Sequence, residues 1–397
     1  MEFLTNTQIP FLRYRKIFVW VSLALLIIAV VELFALAGIN FGIDFVGGTQ
    51  LTLRTREPVL VDDLRNTLAA AGQSEVQIQQ FGDGGNEVLI KAPVVEGEGS
   101  AEASTRIIDA LNESFNAGDR RLDLNQRGQT AIATLLATSD PDGLGREAEQ
   151  GGYDDVADAI LDVRRSEGIF TSWDQVRGAQ GVTPAVAAAL EENAQLGAFA
   201  VLQNENVGPQ IGSELRTKGI LAVVMSLLGM LVYIWFRFEL RFGVGALVAV
   251  FHDFLITLGL FALIDYEFNL PTIAAFLTLV GYSVNDTVVI FDRVRENLAR
   301  FRRKSLEEVM NISINQTLSR TILTSGTTLL VVACLFIAGG EVLRGFAFVL
   351  MIGVIIGTYS SIFVASPFAL VWEQYFGRDA KQARAERTDR KRVERTA

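Results

Sequence analysis

Six runs of apolar residues stand out along the chain, at 17–38, 219–236, 243–264, 270–291, 320–338 and 344–372. Each is long enough, or nearly so, to cross a hydrocarbon layer of about 30 Å as a helix, which takes about 20 residues. Arg13, Arg15 and Lys16 precede the first run as they would in a signal peptide. That run is too long for an ordinary signal core and no small-x-small cleavage site follows it, so it reads as an uncleaved anchor. A further segment near 293–318 has amphipathic spacing (Leu298, Phe301, Leu306, Val309, Ile312) and predicts a helix lying along the membrane surface. The tail 377–397 is dense in charge.

Between the first and second runs the pattern changes to shorter periods. Phe45–Arg54 alternates as a strand does, with Gly47-Gly48 as a bulge or a close backbone approach. Val59–Ala71 has helical spacing and Gly72 suits its C-terminal stop. Glu75–Phe81 and Glu87–Lys91 read as a hairpin around Gly82-Asp83-Gly84-Gly85. Ala101–Phe115 reads as a helix and Ala198–Asn204 as a last strand. Strand, helix, strand, strand, helix, strand is the ferredoxin-like order. An Ala-, Asp- and Glu-rich stretch at about 120–197 interrupts it. There Tyr153–Arg165 is helical in spacing, Ser172 is a candidate N-cap, and Thr183-Pro184 opens another helix as N-cap and N1. The stretch looks weakly like a helix-hairpin-helix module but has no basic patch, so it reads as a plain helical insertion, with a protein-contact role as the second reading.

The fold class predicted is therefore a polytopic α-helical membrane protein of six spans with an external α+β ferredoxin-like domain carrying a helical insertion. Its parts are an N-terminal segment and first span (1–38), the external domain (39–217), a five-helix bundle (218–376) and the charged tail (377–397). Composition agrees: half of the 397 residues are hydrophobic, 20% are charged, and the mean hydropathy is +0.32. This excludes a soluble enzyme, a disordered chain and a fibrous repeat. The single cysteine, Cys334, lies in an apolar run, which excludes a disulfide scaffold and predicts an inert core position. The net charge of −10 hides an asymmetry: residues 39–216 hold 28 acidic and 13 basic side chains, the rest 17 and 22. An acidic domain is a poor match for nucleic acid, whose phosphates need a basic surface.

Basic residues also orient the spans. They gather before span 1, between spans 2 and 3 (Arg237, Arg241), between spans 4 and 5 (Arg293, Arg295, Arg300, Arg302, Arg303, Lys304) and in the tail. With six spans all four segments fall on one side, expected to be cytoplasmic. Both termini are then inside, and the large domain is periplasmic in a bacterium with two membranes.

Ionisable groups within apolar spans are costly, so they mark candidate function. Asp286 sits in span 4 among Ser283, Asn285 and Thr287, and Arg320 opens span 5, an antiparallel neighbour. Burial raises the proton affinity of a carboxylate and a nearby guanidinium lowers it. A carboxylate whose cationic partner approaches and retreats can therefore take a proton on one side and release it on the other, while Arg stays charged. Asp253, near the middle of span 3, is a weaker candidate for the same path. His252, the only histidine, reads equally as a relay or as a packing group. Glu32 and Asp292 read as groups reaching the two interfaces, and Glu341 as an external loop residue. Glycine and serine along the later spans, among them Gly259, Gly345, Gly353, Gly357, Ser360 and Ser361, suit close helix packing. No phosphate-binding loop and no metal-ligand cluster is visible, so a proton or ion gradient is the expected energy source.

Five segments carry a family resemblance. Phe41-Gly42-Ile43-Asp44-Phe45-Val46-Gly47-Gly48-Thr49 resembles the opening of SecD/SecF external domains. Val207-Gly208-Pro209-Gln210-Ile211-Gly212-Ser213-Glu214-Leu215 resembles the lead into the second SecF span. Gly281-Tyr282-Ser283-Val284-Asn285-Asp286-Thr287-Val288-Val289-Ile290-Phe291-Asp292-Arg293 is similar to the SecF fourth-span signature. Asn315–Thr321 and Gly357-Thr358-Tyr359-Ser360-Ser361-Ile362 complete the set. The departure is the 120–197 insertion, since SecF external domains are typically much shorter. The resemblance implies an inner-membrane subunit related to resistance-nodulation-division (RND) exporters, not an enzyme. Its implied partners are a SecD chain, the SecYEG channel, the translocating preprotein and membrane lipid. It implies no cofactor beyond the coupling ion, H⁺ or Na⁺, with Asp286 and Arg320 on the proton path. An RND-type half-transporter for a small molecule or lipid, and a non-transporting scaffold, are the competing readings.

Overall fold

The computed structural model describes residues 7–36, 38–73, 76–81, 84–93, 99–116, 119 and 121–376. The chain divides into two compact units, one formed by Ile43–Leu215 and the other by the chain on either side of it. After a 3-10 turn at Phe11–Tyr14, helix α1 (Arg15–Ala35) is the first of six helical spans in the sense of length and apolar composition.

The 43–215 unit opens with a short helix, α2 (Ile43–Val46), followed by strand β1 (Gly48–Thr55). The alternation beginning at Phe45 thus overstates the strand by three residues. Gly47 (φ +80°) turns the chain between the two elements, and Gly48 (φ +150°) follows it. A Cβ on Gly47 would lie 2.9 Å from Cα of Pro209, and one on Gly48 would lie 2.8 Å from the carbonyl oxygen of Ala92. Two side-chain-free residues are needed for this backbone approach. Helix α3 (Val61–Ala70), strands β2 (Gln77–Phe81) and β3 (Glu87–Ala92), and helix α4 (Ser100–Phe115) follow. Gly72 takes φ +83° just past α3, as a C-terminal stop requires. Ser74, Glu75, Gly82 and Asp83, included in the expected hairpin, lie outside the described residues.

The insertion then contributes β4 (Leu122–Asp123), α5 (Gln129–Ser139), α6 (Arg146–Glu149), α7 (Asp154–Glu167), α8 (Trp173–Arg177), α9 (Pro184–Asn193) and β5 (Ala194–Gln195). Strand β6 (Phe199–Val207) returns to the main sheet, whose order is β2-β3-β1-β6 with all pairs antiparallel. This is the ferredoxin-like arrangement. Leu51, Leu53, Val88 and Ile90 bury one sheet face against Leu64 and Leu68 of α3 and Ile107 and Leu111 of α4.

The insertion has its own core of Ile132, Leu136, Tyr153, Ile160, Phe170, Val176, Val186 and Leu190. Thr183 caps α9 as expected, its hydroxyl accepting from the Val186 N–H at 3.1 Å. The insertion is joined to the sheet through polar side chains. Asn125, 2% exposed, donates to the carbonyls of Phe170 (3.1 Å) and Gly197 (2.9 Å) and accepts from the Phe170 N–H (2.8 Å). Beside it the Asp123 carboxylate accepts from the backbone N–H groups of Asn125 (2.8 Å) and Gly197 (3.0 Å). Burial pushes this carboxyl above its ordinary range, and the two N–H donors offset part of that. Arg56 reaches from the end of β1 to the carbonyls of Leu196 (3.0 Å) and Thr171 (3.2 Å).

The remaining helices are α10 (Pro209–Arg237), α11 (Leu240–Leu263), α12 (Leu270–Arg300), α13 (Leu306–Ala338), α14 (Gly340–Ser360) and α15 (Ser366–Phe376). A π-helical turn, Ser361–Ala365, joins the last two into one span. The spans run longer than the apolar runs because their polar ends continue the helices. The segment 293–318 is accordingly not a separate surface helix. It is the tip of an α12–α13 hairpin, closed at Ser305, whose hydroxyl accepts from the Glu308 N–H at 3.3 Å. Its apolar residues instead face inward: Val309 is fully buried, and Leu298, Phe301 and Leu306 pack on the bundle core. Small residues bring helices together, most closely where Gly259 of α11 meets Ala29 of α1. Cys334 is exposed on α13, not a core residue, because only a narrow stripe of that helix is covered by this chain. Glu341 falls in the first turn of α14, not in a loop.

Candidate functional site: a buried polar network between the spans

Within a hydrocarbon layer an unsatisfied polar group costs several kcal/mol, so polar side chains in spans converge on each other. Here they form two clusters on α11, α12, α13 and α14. In the first, Asp253 of α11 is fully buried. One carboxylate oxygen pairs with His252 Nδ1 at 2.8 Å. The other accepts from the hydroxyls of Ser283 on α12 and Ser360 on α14, each at 2.6 Å. Gly357 leaves room for this approach: a Cβ there would lie 3.3 Å from Ser283 Cα and 3.6 Å from the Asp253 carboxylate. His252 stacks on Tyr359, with ring centroids 6.3 Å apart. The Tyr359 hydroxyl bonds with Ser22 (2.8 Å) and donates to the Phe18 carbonyl (2.7 Å), both on α1. His252 Nε2 is buried without a partner among the described residues.

The second cluster surrounds Asp286, which is 4% exposed. It accepts one long hydrogen bond, from Ser325 of α13 at 3.3 Å. Ser325 also bonds with Thr358 (2.7 Å) and accepts from the Tyr282 hydroxyl (3.4 Å). Thr287 bonds with Ser361 at 2.9 Å. Arg320 does not close onto Asp286. Its side chain is exposed, and among the described residues the two form no ion pair. The expected pair is thus two groups on adjacent helices with a gap between them. Asn285 lies on the exposed face of α12, away from its neighbours Ser283, Asp286 and Thr287, which are all buried.

Both clusters hang on one run at the end of α14 and the start of the π-helical turn. Thr358 bonds with Ser325, Tyr359 meets His252 and Ser22, Ser360 bonds with Asp253, and Ser361 with Thr287. Ser325 and Ser22 were not singled out by sequence reasoning; Thr358, Tyr359, Ser360 and Ser361 entered only as part of a resembling segment, and the two serines also as packing residues, with no polar role assigned. The available signal was four polar residues in succession within an apolar span. The last of the four, Ser361, opens the π-helical turn; such turns widen the helix and often occur at functional sites.

The groups expected at the interfaces divide. Asp292 pairs with Arg237 of α10. Glu32 is 5% exposed, and its carboxylate makes no hydrogen bond or ion pair among the described residues. Farther along the α12–α13 hairpin, Asn297 donates to Ser313 (2.9 Å) and Gln316 (2.8 Å), and Arg293 to Gln316 (2.6 Å). Among the described residues no group of three or more His, Cys, Asp or Glu side chains could hold a metal ion.

A six-span helical bundle with charged groups buried at mid-span and a ferredoxin-like domain between its first two spans defines a class of membrane transport component. Residues 186–375 match the model described as protein export membrane protein SecD/SecF, C-terminal, and residues 33–59 match the SecD/SecF GG motif. Gly47 and Gly48 lie in that second match. Protein translocase subunit SecF of Koribacter versatilis is 42% identical over 389 residues, covering 95% of each chain. The subunit of the same name from Escherichia coli O157:H7 is 33% identical over 87% of this chain and 82% of its own. The crystal structure of SecDF from Thermus thermophilus, a translocon-associated membrane protein, is 32% identical, with a TM-score of 0.65. That match covers 94% of this chain and 40% of the Thermus chain, so this chain spans two-fifths of its length. The chain belongs to the SecF family of protein translocase subunits. The small-molecule half-transporter reading is not favoured by these relatives.

Proposed function

We propose that the chain is the SecF-type half of an accessory translocase of the bacterial inner membrane, which uses ion flow to promote export of unfolded polypeptide. One observation carries this reading. Among the described residues, Asp286 is buried at mid-span with a single long hydrogen bond, while Arg320 on the adjoining helix forms no ion pair. A structural carboxylate is satisfied on all sides, as Asp253 is. An under-coordinated one beside an exposed cation suits a group that takes up and releases a proton.

A SecD-type partner would cover the open face of α13 and complete the surroundings of Arg320. The matched Thermus chain is a SecDF, of which the match covers 40%, and this supports such a partner. In this reading Asp286 carries the proton, Arg320 is its permanently charged partner, and Asp253, bonded to His252, Ser283 and Ser360, holds α11, α12 and α14 together. Both termini are cytoplasmic and the 43–215 unit is periplasmic, where it contacts preprotein leaving the SecYEG channel. The coupling ion is H⁺ or Na⁺, and the protein moves polypeptide instead of catalysing a covalent reaction.

The test is release of a preprotein from membrane vesicles carrying this chain, its SecD-type partner and the channel, with and without an imposed gradient. Gradient-stimulated release is expected to vanish in Asp286→Asn. Undiminished stimulation in that variant would refute the coupling role. Running the parent with a proton gradient alone and a sodium gradient alone identifies the ion.

A further inference from the structure

At the end of the bundle where the basic links lie, the segment 9–15 is tied onto α13. The ties fall on one face of that helix, at Glu307, Asn311 and Asn315, each four residues from the next. The Asn315 side chain pairs with Ile9 in both directions. Its Oδ1 accepts from the Ile9 N–H and its Nδ2 donates to the Ile9 carbonyl, each at 2.9 Å. The Nδ2 also donates to the Asn311 carbonyl at 2.7 Å. Only an amide can serve Ile9 this way, because a carboxylate of the same shape offers no donor. Asn311 Oδ1 accepts from the Leu12 N–H at 3.2 Å, and Arg15 pairs with Glu307 at 2.8 Å. Leu12 itself is fully buried in the bundle core. Phe11 meets Phe363 of the π-helical turn edge-on, with ring centroids 6.1 Å apart.

Asn315 opens the Asn315–Thr321 segment, which contains Arg320. The next residue, Gln316, accepts from Arg293 and Asn297 of α12 at 2.6 and 2.8 Å. The turn of α13 that precedes Arg320 is therefore held by two partners, α12 and the N-terminal strap. Arg320 is exposed and forms no ion pair among the described residues, so its place relative to Asp286 follows from the height and rotation of α13. Slipping that helix by one residue would move Arg320 by about 1.5 Å along the axis and about 100° around it.

We infer that Asn315 is a positioning residue for ion coupling: with Asn311 and Glu307 it latches the N-terminal strap and so fixes Arg320 against Asp286. The same latch ties α1, from which the chain runs on into the 43–215 unit, to the helix that carries the permanent charge. The inference rests on the coupling reading above and adds to it a mechanical link between the ion site and the first span.

The experiment uses the full chain in vesicles with its SecD-type partner and the channel, and reads the gradient needed for half-maximal preprotein release. A smaller amount of folded protein lowers the maximum and leaves this value alone, whereas a misplaced Arg320 raises it. Asn315→Ala removes both bonds to Ile9, and Ile9→Pro removes the N–H that Asn315 accepts from. Each should raise the half-maximal gradient about twofold or more. Ile9→Pro should add nothing further in the Asn315→Ala chain, since the two variants break the same contact. Glu307→Arg should raise the value as well, and Arg15→Glu in that chain should restore it. If Asn315→Ala fails to fold, the Arg15–Glu307 exchange reports the same quantity. Parental half-maximal gradients in the strap variants that fold overturn the inference, even where their melting temperatures fall, which would make the strap a plain structural tie. Asp286→Asn, run beside them, separates the two failures. Loss of stimulation there with a parental response in the strap variants sinks the strap alone. Stimulation that survives in Asp286→Asn sinks the coupling reading, and the positioning role with it.

Discussion

Asp253 and Asp286 are both buried carboxylates in apolar spans, yet their surroundings predict opposite responses to substitution. Asp253→Leu removes the acceptor for three donors: the Ser283 and Ser360 hydroxyls, each at 2.6 Å, and His252 Nδ1 at 2.8 Å. Ser360 can fall back on the Gly357 carbonyl, already 3.2 Å away, and so recovers part of the loss. His252 cannot, since its Nε2 is also without a partner. Losing one member of such a buried charged cluster costs about 3–5 kcal/mol. For a unit of this size that lowers the melting temperature by about 6–20 °C. Asp253→Asn keeps an oxygen for both hydroxyls and turns an amide toward His252, which can accept by adopting the other tautomer, so it should melt close to the parent. Asp286→Asn touches one 3.3 Å bond from Ser325, and Ser325 retains Thr358 at 2.7 Å. Its cost is about 1 kcal/mol or less. The assay is scanning fluorimetry of the full chain in detergent, read alongside gradient-driven release in vesicles. The expected pattern is a large thermal loss for Asp253→Leu and an activity loss with little thermal change for Asp286→Asn. If Asp253→Leu melted within about 2 °C of the parent, or Asp286→Asn fell as far as Asp253→Leu, the division into a structural hub and an under-coordinated carrier would be wrong.

Three further outcomes follow from the same geometry. Asn125→Ala strands the Phe170 N–H and two carbonyls at the joint between insertion and sheet, so amide exchange at Phe170 should speed up about a hundredfold, and an unchanged rate would contradict the clamp. Gly259→Ala forces a Cβ onto Ala29 and should cost about 1–3 kcal/mol in thermal stability; Ala29→Gly in the same chain should restore only part, because the Ala29 Cα is also in the way. The carboxyl of Asp123 is raised in the folded state, so its contribution to stability is present below the ordinary carboxylate pKa of about 3.9 and is lost as pH rises through the folded value. Protection of the Gly197 amide, corrected for intrinsic exchange, should therefore fall as pH climbs just above that range. Asp123→Asn should flatten the profile, and a flat profile in the parent would remove the basis for this prediction.

The number of spans, their order and the acidic domain between the first two were all readable along the chain, because hydropathy and strand or helix period are properties of neighbouring residues. The same holds for the α9 cap at Thr183 and the stop at Gly72, which depend on one or two positions. The errors came where a local period had two physical meanings. The amphipathic spacing of 293–318 suits an interfacial helix and a helix-hairpin tip equally, and only the packing of Val309 and Leu298 on the bundle distinguishes them. Cys334 looked like core because its run is apolar, but a span facing lipid is as apolar as one facing protein.

Asp286, Arg320, Asp253 and His252 were singled out from the sequence alone, since a charge inside an apolar run is visible without any structure. Which of them are satisfied was not visible. Hydrogen bonds between α11, α12, α13 and α14 join residues 30 to more than 100 positions apart, such as Asp253 with Ser283 and with Ser360. Their distances depend on how four helices rotate and tilt against each other, which no stretch of one helix encodes. Sequence therefore determined that this protein places charge within the membrane; tertiary packing alone decided that Asp253 is fully bonded, that Asp286 is nearly bare, and that Arg320 is left open.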